Sequence, residues 1–106
     1  MNPKIKTIVT ELRQHLERLY GERLVKVVVF GSQARGEAVE GSDIDVLVIL
    51  RGSVNPGEEI ARTGEAAAAL SLKYGLVISC TFVSADRYAT EQSPLFINAR
   101  REGVAL

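Results

Sequence analysis

The chain has 106 residues, of which 46% are hydrophobic and 25% are charged, a composition typical of one ordinary globular domain. Thirteen basic and thirteen acidic side chains cancel, so no overall positive field favours nucleic acid or an anionic membrane. We expect no membrane span, because no apolar run reaches ~18 residues, and no signal peptide, because the first residues lack an apolar core. The single cysteine, Cys80, excludes an internal disulfide and fits a reducing cytoplasm. These observations predict one cytoplasmic domain, residues 1–106.

The first segment, residues 3–20, has the apolar pattern of an amphipathic helix. Apolar side chains recur at steps of three and four residues along one stripe: Ile5, Ile8, Val9, Leu12, Leu16 and Leu19. Asn2 suits the N-cap, Pro3 the first helical position and Gly21 the C-terminal end. His15 lies at the edge of this stripe with no second histidine or cysteine nearby. That position favours packing at the boundary of the core over metal binding.

Two apolar, β-branched runs, Val25–Phe30 and Ile44–Leu50, predict two strands. Asp43 and Asp45 stand at the start of the second run. Because side chains alternate between the faces of a strand, both carboxylates should project from one face, roughly 6–7 Å apart. Asp45 lies inside an apolar strand, where a carboxylate is costly unless it is paired or bound to a metal. The pair therefore predicts a site for Mg²⁺, which prefers oxygen ligands and is often bound together with substrate phosphates.

Gly31 and Ser32 close the first of these strands. Gly31 has no Cβ, so the backbone can turn sharply there or approach a ligand closely. Ser32 can begin a short helix whose free N–H groups and hydroxyl suit an anion. A phosphate-binding turn and a metal-binding pair of carboxylates would then lie at adjacent strand ends, an arrangement that favours phosphoryl transfer.

These motifs carry a resemblance to a known family. The segments Gly31–Gly36 and Ser42–Asp45 resemble the signature of the DNA polymerase β-like nucleotidyltransferases, and are most similar to their minimal antitoxin-type domains, which are found beside HEPN-type partner proteins. The resemblance implies an α/β fold with a mixed sheet of three to four strands and helices packed on one face. It also implies a set of site residues: Gly31 and Ser32 for the triphosphate, and Asp43 and Asp45 as catalytic ligands of Mg²⁺.

Arg35 lies within the signature and has two interpretations. Its guanidinium group could contact the phosphates of the nucleotide, which would make it a nucleotide-binding residue. Alternatively, it could pair with Glu37 or an aspartate and serve only to order the loop. The sequence favours the structural role slightly and leaves both open.

A second helix is predicted from residue 56 to about Tyr74, followed by a third strand over Leu76–Val83. A strand–helix–strand unit should cross over right-handed, which makes the second and third strands parallel, whereas the short connection before them predicts an antiparallel first pair. Ser79 then falls where the family usually has a third carboxylate. Its neutral hydroxyl cannot deprotonate an acceptor as a carboxylate can, so nucleotide binding is better supported than catalysis.

Two further residues are assigned structural roles. Asp86 lies beyond the third strand, where it fits the first turn of a following helix better than it fits the missing carboxylate. Cys80 is flanked by apolar residues in a strand, and no base is in view to activate it, so we expect a small core residue. A last helix should begin at Ser93 and Pro94 and end at Gly103.

The function that the sequence favours is transfer of a nucleoside monophosphate from a nucleoside triphosphate, with ATP as the first candidate, to an acceptor. The resemblance implies that the acceptor is a hydroxyl group of a HEPN-type toxin, for which this chain would be the antitoxin. Two alternatives remain open: a catalytically impaired module that neutralises its partner by contact, and a transferase for a small molecule. The small size of the domain also predicts a homodimer or a complex with a second chain.

Overall fold

The computed structural model describes residues 1–38 and 41–106. A single turn of 3-10 helix, Gly21–Arg23, joins the first helix to the first strand. The other elements, in chain order, are α1 (Pro3–Tyr20), β1 (Leu24–Phe30), α2 (Ser32–Arg35), β2 (Ile44–Leu50), α3 (Pro56–Tyr74), β3 (Ile78–Ser84), α4 (Ala85–Thr90), α5 (Pro94–Glu102) and β4 (Val104–Ala105). Within the described ranges, no helix combines the length and hydrophobicity needed to cross a membrane.

The long helices begin and end at the residues that the sequence predicts. The side chain of Asn2 accepts a hydrogen bond from the backbone N–H of Lys4 at 2.8 Å, which caps α1. Asn55 caps α3 in the same way, accepting from the N–H of Glu58 at 3.3 Å. At the other end of α3, Gly75 adopts a left-handed conformation with φ of 67°, which a residue with a side chain rarely adopts. Local capping chemistry therefore fixes the bounds of both helices.

The four strands form one mixed sheet in the order β3-β2-β1-β4. β1 and β2 are antiparallel and β2 and β3 are parallel, as the connection lengths predict. β4 adds to the other side of β1, pairing Val104–Ala105 with Val28–Val29. The α/β fold with a mixed sheet is thus confirmed. The third strand begins at Ile78, two residues later than predicted, and continues to Ser84.

The sheet has an apolar core on each of its faces. The first face, covered by α1 and α3, contains Val27 and Val29 of β1 and the even-numbered residues of β2. The second face, covered by α4 and α5, contains Val28 and the odd-numbered residues Leu47 and Ile49. The sequence predicts helices on one face of the sheet, and α1 and α3 lie on one face. Because α4 and α5 cover the other face, the prediction is corrected to helices on both faces. Because β1 and β2 are apolar on both sides, both faces need a cover.

The C-terminal end of α1 differs from the predicted apolar stripe. Leu19 is 43% exposed, and Tyr20 is buried in its place. The Tyr20 hydroxyl donates a hydrogen bond to the buried carboxylate of Glu59 at 3.1 Å. The backbone N–H of Asn55 donates to the second oxygen of Glu59 at 3.2 Å, and the Arg62 guanidinium lies 3.5 Å from this carboxylate. This polar cluster ties α1 to the start of α3.

Candidate functional site

The turn between β1 and α2 is built around Gly31. Its φ is +74°, and a Cβ placed on it would stand 2.8 Å from the Oδ2 atom of Asp45. Any larger residue would therefore be strained and would also collide with this carboxylate. Ser32, the first residue of α2, follows directly. The sharp turn predicted at Gly31 is thus observed, and it brings the Gly31-Ser32 turn against Asp45; close approach of Gly31 to a ligand stays a prediction.

Asp43 and Asp45 flank the first residue of β2. Asp43 is exposed, and Asp45 is half-buried on the second face, where it pairs in register with Phe30 of β1. Burial raises the pKa of the Asp45 carboxyl group, and the nearby charge of Asp43 raises it further. Among residues 1–38 and 41–106, no hydrogen bond or ion pair reaches either carboxylate. A divalent cation would relieve the repulsion between them.

The donor set fits Mg²⁺, which commonly takes one or two carboxylates and completes its shell with water and phosphate oxygens. No group of three histidine, cysteine, aspartate or glutamate side chains that could enclose a metal occurs in the described part of the chain.

Ser79 lies directly opposite Asp45 in the parallel pairing of β2 with β3. It is exposed, and the alternation of side chains puts it on the second face with Asp45. Its position agrees with the prediction from sequence. A hydroxyl group, rather than a third carboxylate, thus adjoins the Asp43–Asp45 pair on the β3 side.

Gln33 is a residue of this region that the sequence did not reveal. Its side chain is buried, and its Nε2 atom donates a hydrogen bond to the backbone carbonyl of Ser42 at 3.2 Å. This bond links the Gly31-Ser32 turn to the residue before Asp43, so it positions both halves of the site. The family signature leaves this position variable, and one glutamine in a short polar segment gives no other signal.

Arg35 makes two ion pairs, with Glu37 at 3.0 Å and with Glu102 of α5 at 3.6 Å. The hydrogen bond that Arg35 donates to the Glu37 carboxylate raises the pKa of the Arg35 guanidinium. The structure thus shows the pairing with Glu37 that the sequence favoured. Contact of Arg35 with phosphate stays a prediction.

Three candidate residues lie apart from these groups. Asp86 is in the first turn of α4, beyond the far end of β3, as predicted. Cys80 packs against the core of the first face, and burial raises the pKa of its thiol to about 11. His15 stays at the edge of α1, with its Nδ1 atom 2.8 Å from Nη2 of Arg18. Each has the structural role expected from sequence.

A Gly-Ser turn at the end of one strand, with one aspartate before the next strand and one in its second position, is the arrangement predicted for a nucleotidyltransferase domain. A family model described as "Nucleotidyltransferase domain" matches residues 9–88. Because this match spans most of the sequence, the chain belongs to the nucleotidyltransferase domain family.

Proteins of the archaeon Methanocaldococcus jannaschii that are provisionally named as protein adenylyltransferases are similar to this chain. One is 33% identical over 72 residues, which cover 68% of this chain and 72% of the relative. Another is 35% identical over 80 residues, covering 76% of this chain and 74% of the relative. A third is 43% identical over 47 residues, and there the match spans only 32% of the relative's length.

Solved structures share the fold. One provisionally described as a minimal nucleotidyltransferase is 28% identical, with a TM-score of 0.58 over 95% of this chain and 94% of its own. A chain of a toxin–antitoxin crystal structure with AMP-PNP also shares the fold. Its TM-score is 0.61 at 18% identity, over 89% of this chain and 68% of the other. These matches confirm the predicted resemblance to minimal nucleotidyltransferases.

Proposed function

We propose that this chain binds ATP with Mg²⁺ and transfers AMP to a hydroxyl group of a HEPN-type protein, acting as the antitoxin of that protein. The observation that carries the proposal is the contact of the Asp45 carboxylate with the Gly31-Ser32 turn. This contact puts a half-buried negative charge, which lacks a partner among the described residues, beside a turn suited to phosphate.

Each residue of the site has a proposed role. Gly31 and Ser32 bind the β- and γ-phosphates, and Arg35 can add a contact if it exchanges a carboxylate partner for phosphate. Asp43 and Asp45 hold Mg²⁺, which neutralises charge on the reacting phosphate when it is bound. The acceptor oxygen forms a bond to the α-phosphorus while the bond to the bridging oxygen breaks. Pyrophosphate leaves, and the hydroxyl proton passes to water.

Similar proteins support the choice of substrate and partner. The archaeal relatives carry names that assign adenylyl transfer to protein, which favours ATP and a protein acceptor. The fold is shared with toxin–antitoxin assemblies, one of them with an ATP analogue. Together with the resemblance of the signature segments, these names favour a HEPN-type partner over a small-molecule acceptor. The free thiol of Cys80 fits a cytoplasmic location.

The second candidate function is a binding module that neutralises its partner by contact. Ser79 favours it, because this hydroxyl stands beside Asp45 where the family usually supplies a third carboxylate. In that case the site binds nucleotide and Mg²⁺ without efficient transfer.

The test is incorporation of AMP, from ATP labelled in its α-phosphate, into a HEPN-type protein from the same genome. The variants are Asp43→Asn with Asp45→Asn and, as a matched control, Asp86→Asn, which removes an exposed carboxylate outside the site. We expect labelling by the wild type and the control, and at least ~10²-fold less labelling by the double variant. Equal labelling in EDTA contradicts the metal site. Absence of labelling with neutralisation intact favours the binding module.

A further inference from the structure

The outer edge of β3 is one of the two edges of the sheet. Across residues 1–38 and 41–106, where the strand order is β3-β2-β1-β4, β3 pairs with β2 alone. The N–H of Ile44 donates to the carbonyl of Val77 at 2.9 Å. Because alternate residues of a parallel strand turn their backbone groups to the same neighbour, the odd-numbered residues of β3 bond to β2. The backbone N–H and C=O groups of Cys80 and Phe82 therefore point outward.

This edge is only partly covered by the rest of the described chain. The N–H of Ile78, at the start of β3, donates to Oγ of Ser71 on α3 at 3.3 Å. No hydrogen bond from outside the sheet reaches the backbone of Cys80 or Phe82 in the ranges that the structure describes. One end of the edge is thus closed. In its middle, the backbone groups of Cys80 and Phe82 have no partner among the described residues, and Cys80 is partly exposed whereas Phe82 is only 5% exposed.

The sequence of β3 lacks the features that usually prevent edge pairing. Its seven residues include no charged side chain and no proline. Its register with β2 runs without a bulge over all seven pairs, from Ile78 to Ser84. Exposed edge strands are normally protected by lysine, proline, bulges or short length. An unprotected edge of this length is suited to binding an added strand.

A groove of about 520 Å³ follows the open edge. Pro56 and Ile60 of α3 line it on one side, and Leu95 and Phe96 of α5 line it on the other. The 57% exposed side chain of Ile60 gives the groove an apolar wall that the described chain leaves uncovered.

Charge along the groove identifies the kind of segment that it fits. The two charged residues that line it, Arg87 and Glu91, pair with each other at 3.0 Å. The floor, from Cys80 to Phe82, is uncharged. A neutral groove suits an uncharged segment, since a charge bound there would lose its hydration without gaining a partner.

The groove leads to the candidate site. Thr81 on its floor lies two residues after Ser79, which pairs with Asp45, and all three side chains belong to the second face. Neighbouring strands lie ~4.8 Å apart, so a strand added to β3 would run about 10 Å from β2. A side chain on the second face of that strand would point along the same surface as Asp45.

We propose that the open edge of β3 binds an extended, uncharged segment of the acceptor protein as a fifth strand, which presents its hydroxyl group to the Asp43–Asp45 site. This inference rests on the proposed function and adds where the acceptor binds. A second copy of this chain is the other possible occupant. The groove favours the acceptor, because α3 and α5 flank it on both sides, and a second copy would bring its own helices against them.

The experiment measures binding of a HEPN-type protein from the same genome by calorimetry. The variants are Thr81→Lys, which puts a charge on the edge, and Ile60→Glu, which puts one on the groove wall. Both replace exposed residues, so we expect the fold to be retained. Leu72→Glu is the matched control, an 85% exposed leucine of the same helix outside the groove. We expect roughly tenfold or greater loss of affinity in the first two variants and no change in the control.

Hydrogen exchange in the complex supplies the second readout, with slowed exchange expected at the amides of Cys80 and Phe82. Wild-type affinity in both edge variants, no binding by the wild type, or unprotected amides would overturn the proposal. A wild-type dimer that Thr81→Lys dissociates would also overturn it, by assigning the edge to a second copy. Edge-dependent binding without AMP transfer would instead contradict the proposed function alone.

Discussion

Two carboxylates, Asp45 and Glu59, have different surroundings. Asp45 is the second residue of β2, whereas Glu59 lies on α3, beyond the loop that follows β2. Glu59 is 2% exposed and accepts hydrogen bonds from the Tyr20 hydroxyl and the Asn55 N–H, with Arg62 close by. Asp45 is less buried, yet no described residue donates to it, and its neighbour Asp43 carries the same charge. Residues 1–38 and 41–106 thus supply partners for Glu59 and none for Asp45.

This difference separates a structural carboxylate from one suited to binding. Burial, followed by the hydrogen bond to Glu59, raises the pKa of Tyr20 to about 12, so Tyr20 stays a donor and the cluster stays paired. Burial, followed by the charge of Asp43, raises the pKa of Asp45, and the part of the chain that the structure describes provides no compensating donor. A carboxylate in this state gains most from a partner that arrives from solution, such as Mg²⁺ with a nucleotide.

The largest effect is expected from Asp45→Asn. We expect the affinity for AMP-PNP with Mg²⁺ to fall by about 10²-fold or more, because one of the two negative ligands is lost. Thermal stability should not fall, since the change removes a partly desolvated charge that repels Asp43. Calorimetric titration and thermal unfolding measure the two quantities. Unchanged nucleotide affinity, or a large loss of thermal stability, would show that Asp45 is a structural carboxylate like Glu59.

The converse is expected for Glu59→Ala. The change leaves the Tyr20 hydroxyl and the Asn55 N–H without an acceptor inside the protein, which should lower the free energy of unfolding by about 2–4 kcal/mol. Nucleotide affinity of the folded protein should not change. Urea denaturation measures the loss, and Glu65→Ala, at an exposed position of the same helix, should stay within about 0.5 kcal/mol of wild type. A small loss of unfolding free energy in Glu59→Ala would contradict the structural role of Glu59, and with it the difference from Asp45.

Ser79→Asp should increase the rate of AMP transfer at the site beside Asp45. A general base typically contributes ~10²–10⁴-fold, and we expect AMP transfer to rise at least about tenfold if Ser79 occupies the base position. Ser79→Asn is the matched control, because asparagine has the size of aspartate and lacks its charge. Robust wild-type transfer that Ser79→Asp leaves unchanged, while Asp45→Asn abolishes it, would show that the base lies elsewhere.

The smallest effect is a pH dependence of stability without metal. Because the pKa of Asp45 is raised above its usual 3.8, the folded state holds this proton more tightly than the unfolded state does. Its contribution to stability is therefore fully present below pH 3.8 and is lost as the pH rises through the folded pKa. The free energies of unfolding of wild type and Asp45→Asn should be measured across this pH range. We expect the variant to gain stability relative to the wild type as the pH rises. A constant difference would contradict the raised pKa.

The parts of the fold that the sequence predicts are those with a local signal. Asn2 and Asn55 cap the long helices, Gly75 ends the second, and uninterrupted β-branched runs define β1 and β2. Connection lengths give the strand directions, and these place Ser79 beside Asp45. The geometry of the candidate site follows, because its residues lie at the ends of elements that are each recognisable alone.

Other features depend on contacts between distant segments and have no local signal. β4 has two residues, too few to show an alternating pattern, and forms by pairing with β1. The polar cluster joins Tyr20 to Glu59 across most of the first half of the chain. Likewise, α5 covers the second face because Val28, Leu47 and Ile49 need a cover there, which the pattern of α5 itself does not reveal.

The connectivity of the sheet also has a kinetic consequence. β1 meets β2 across the short segment 31–43, whereas its pairing with β4 joins residues 28 and 105. Since the entropy lost on closing a loop grows with its length, the β1–β2 pair should be ordered in the transition state for folding, and β4 should dock afterwards. Gly31, Asp43 and Asp45 all belong to this early pair. Pairing of β1 with β2 therefore brings the Asp45 carboxylate against Gly31 before β3 and its hydroxyl arrive, so the Gly31 turn and its aspartates should be in place early in folding.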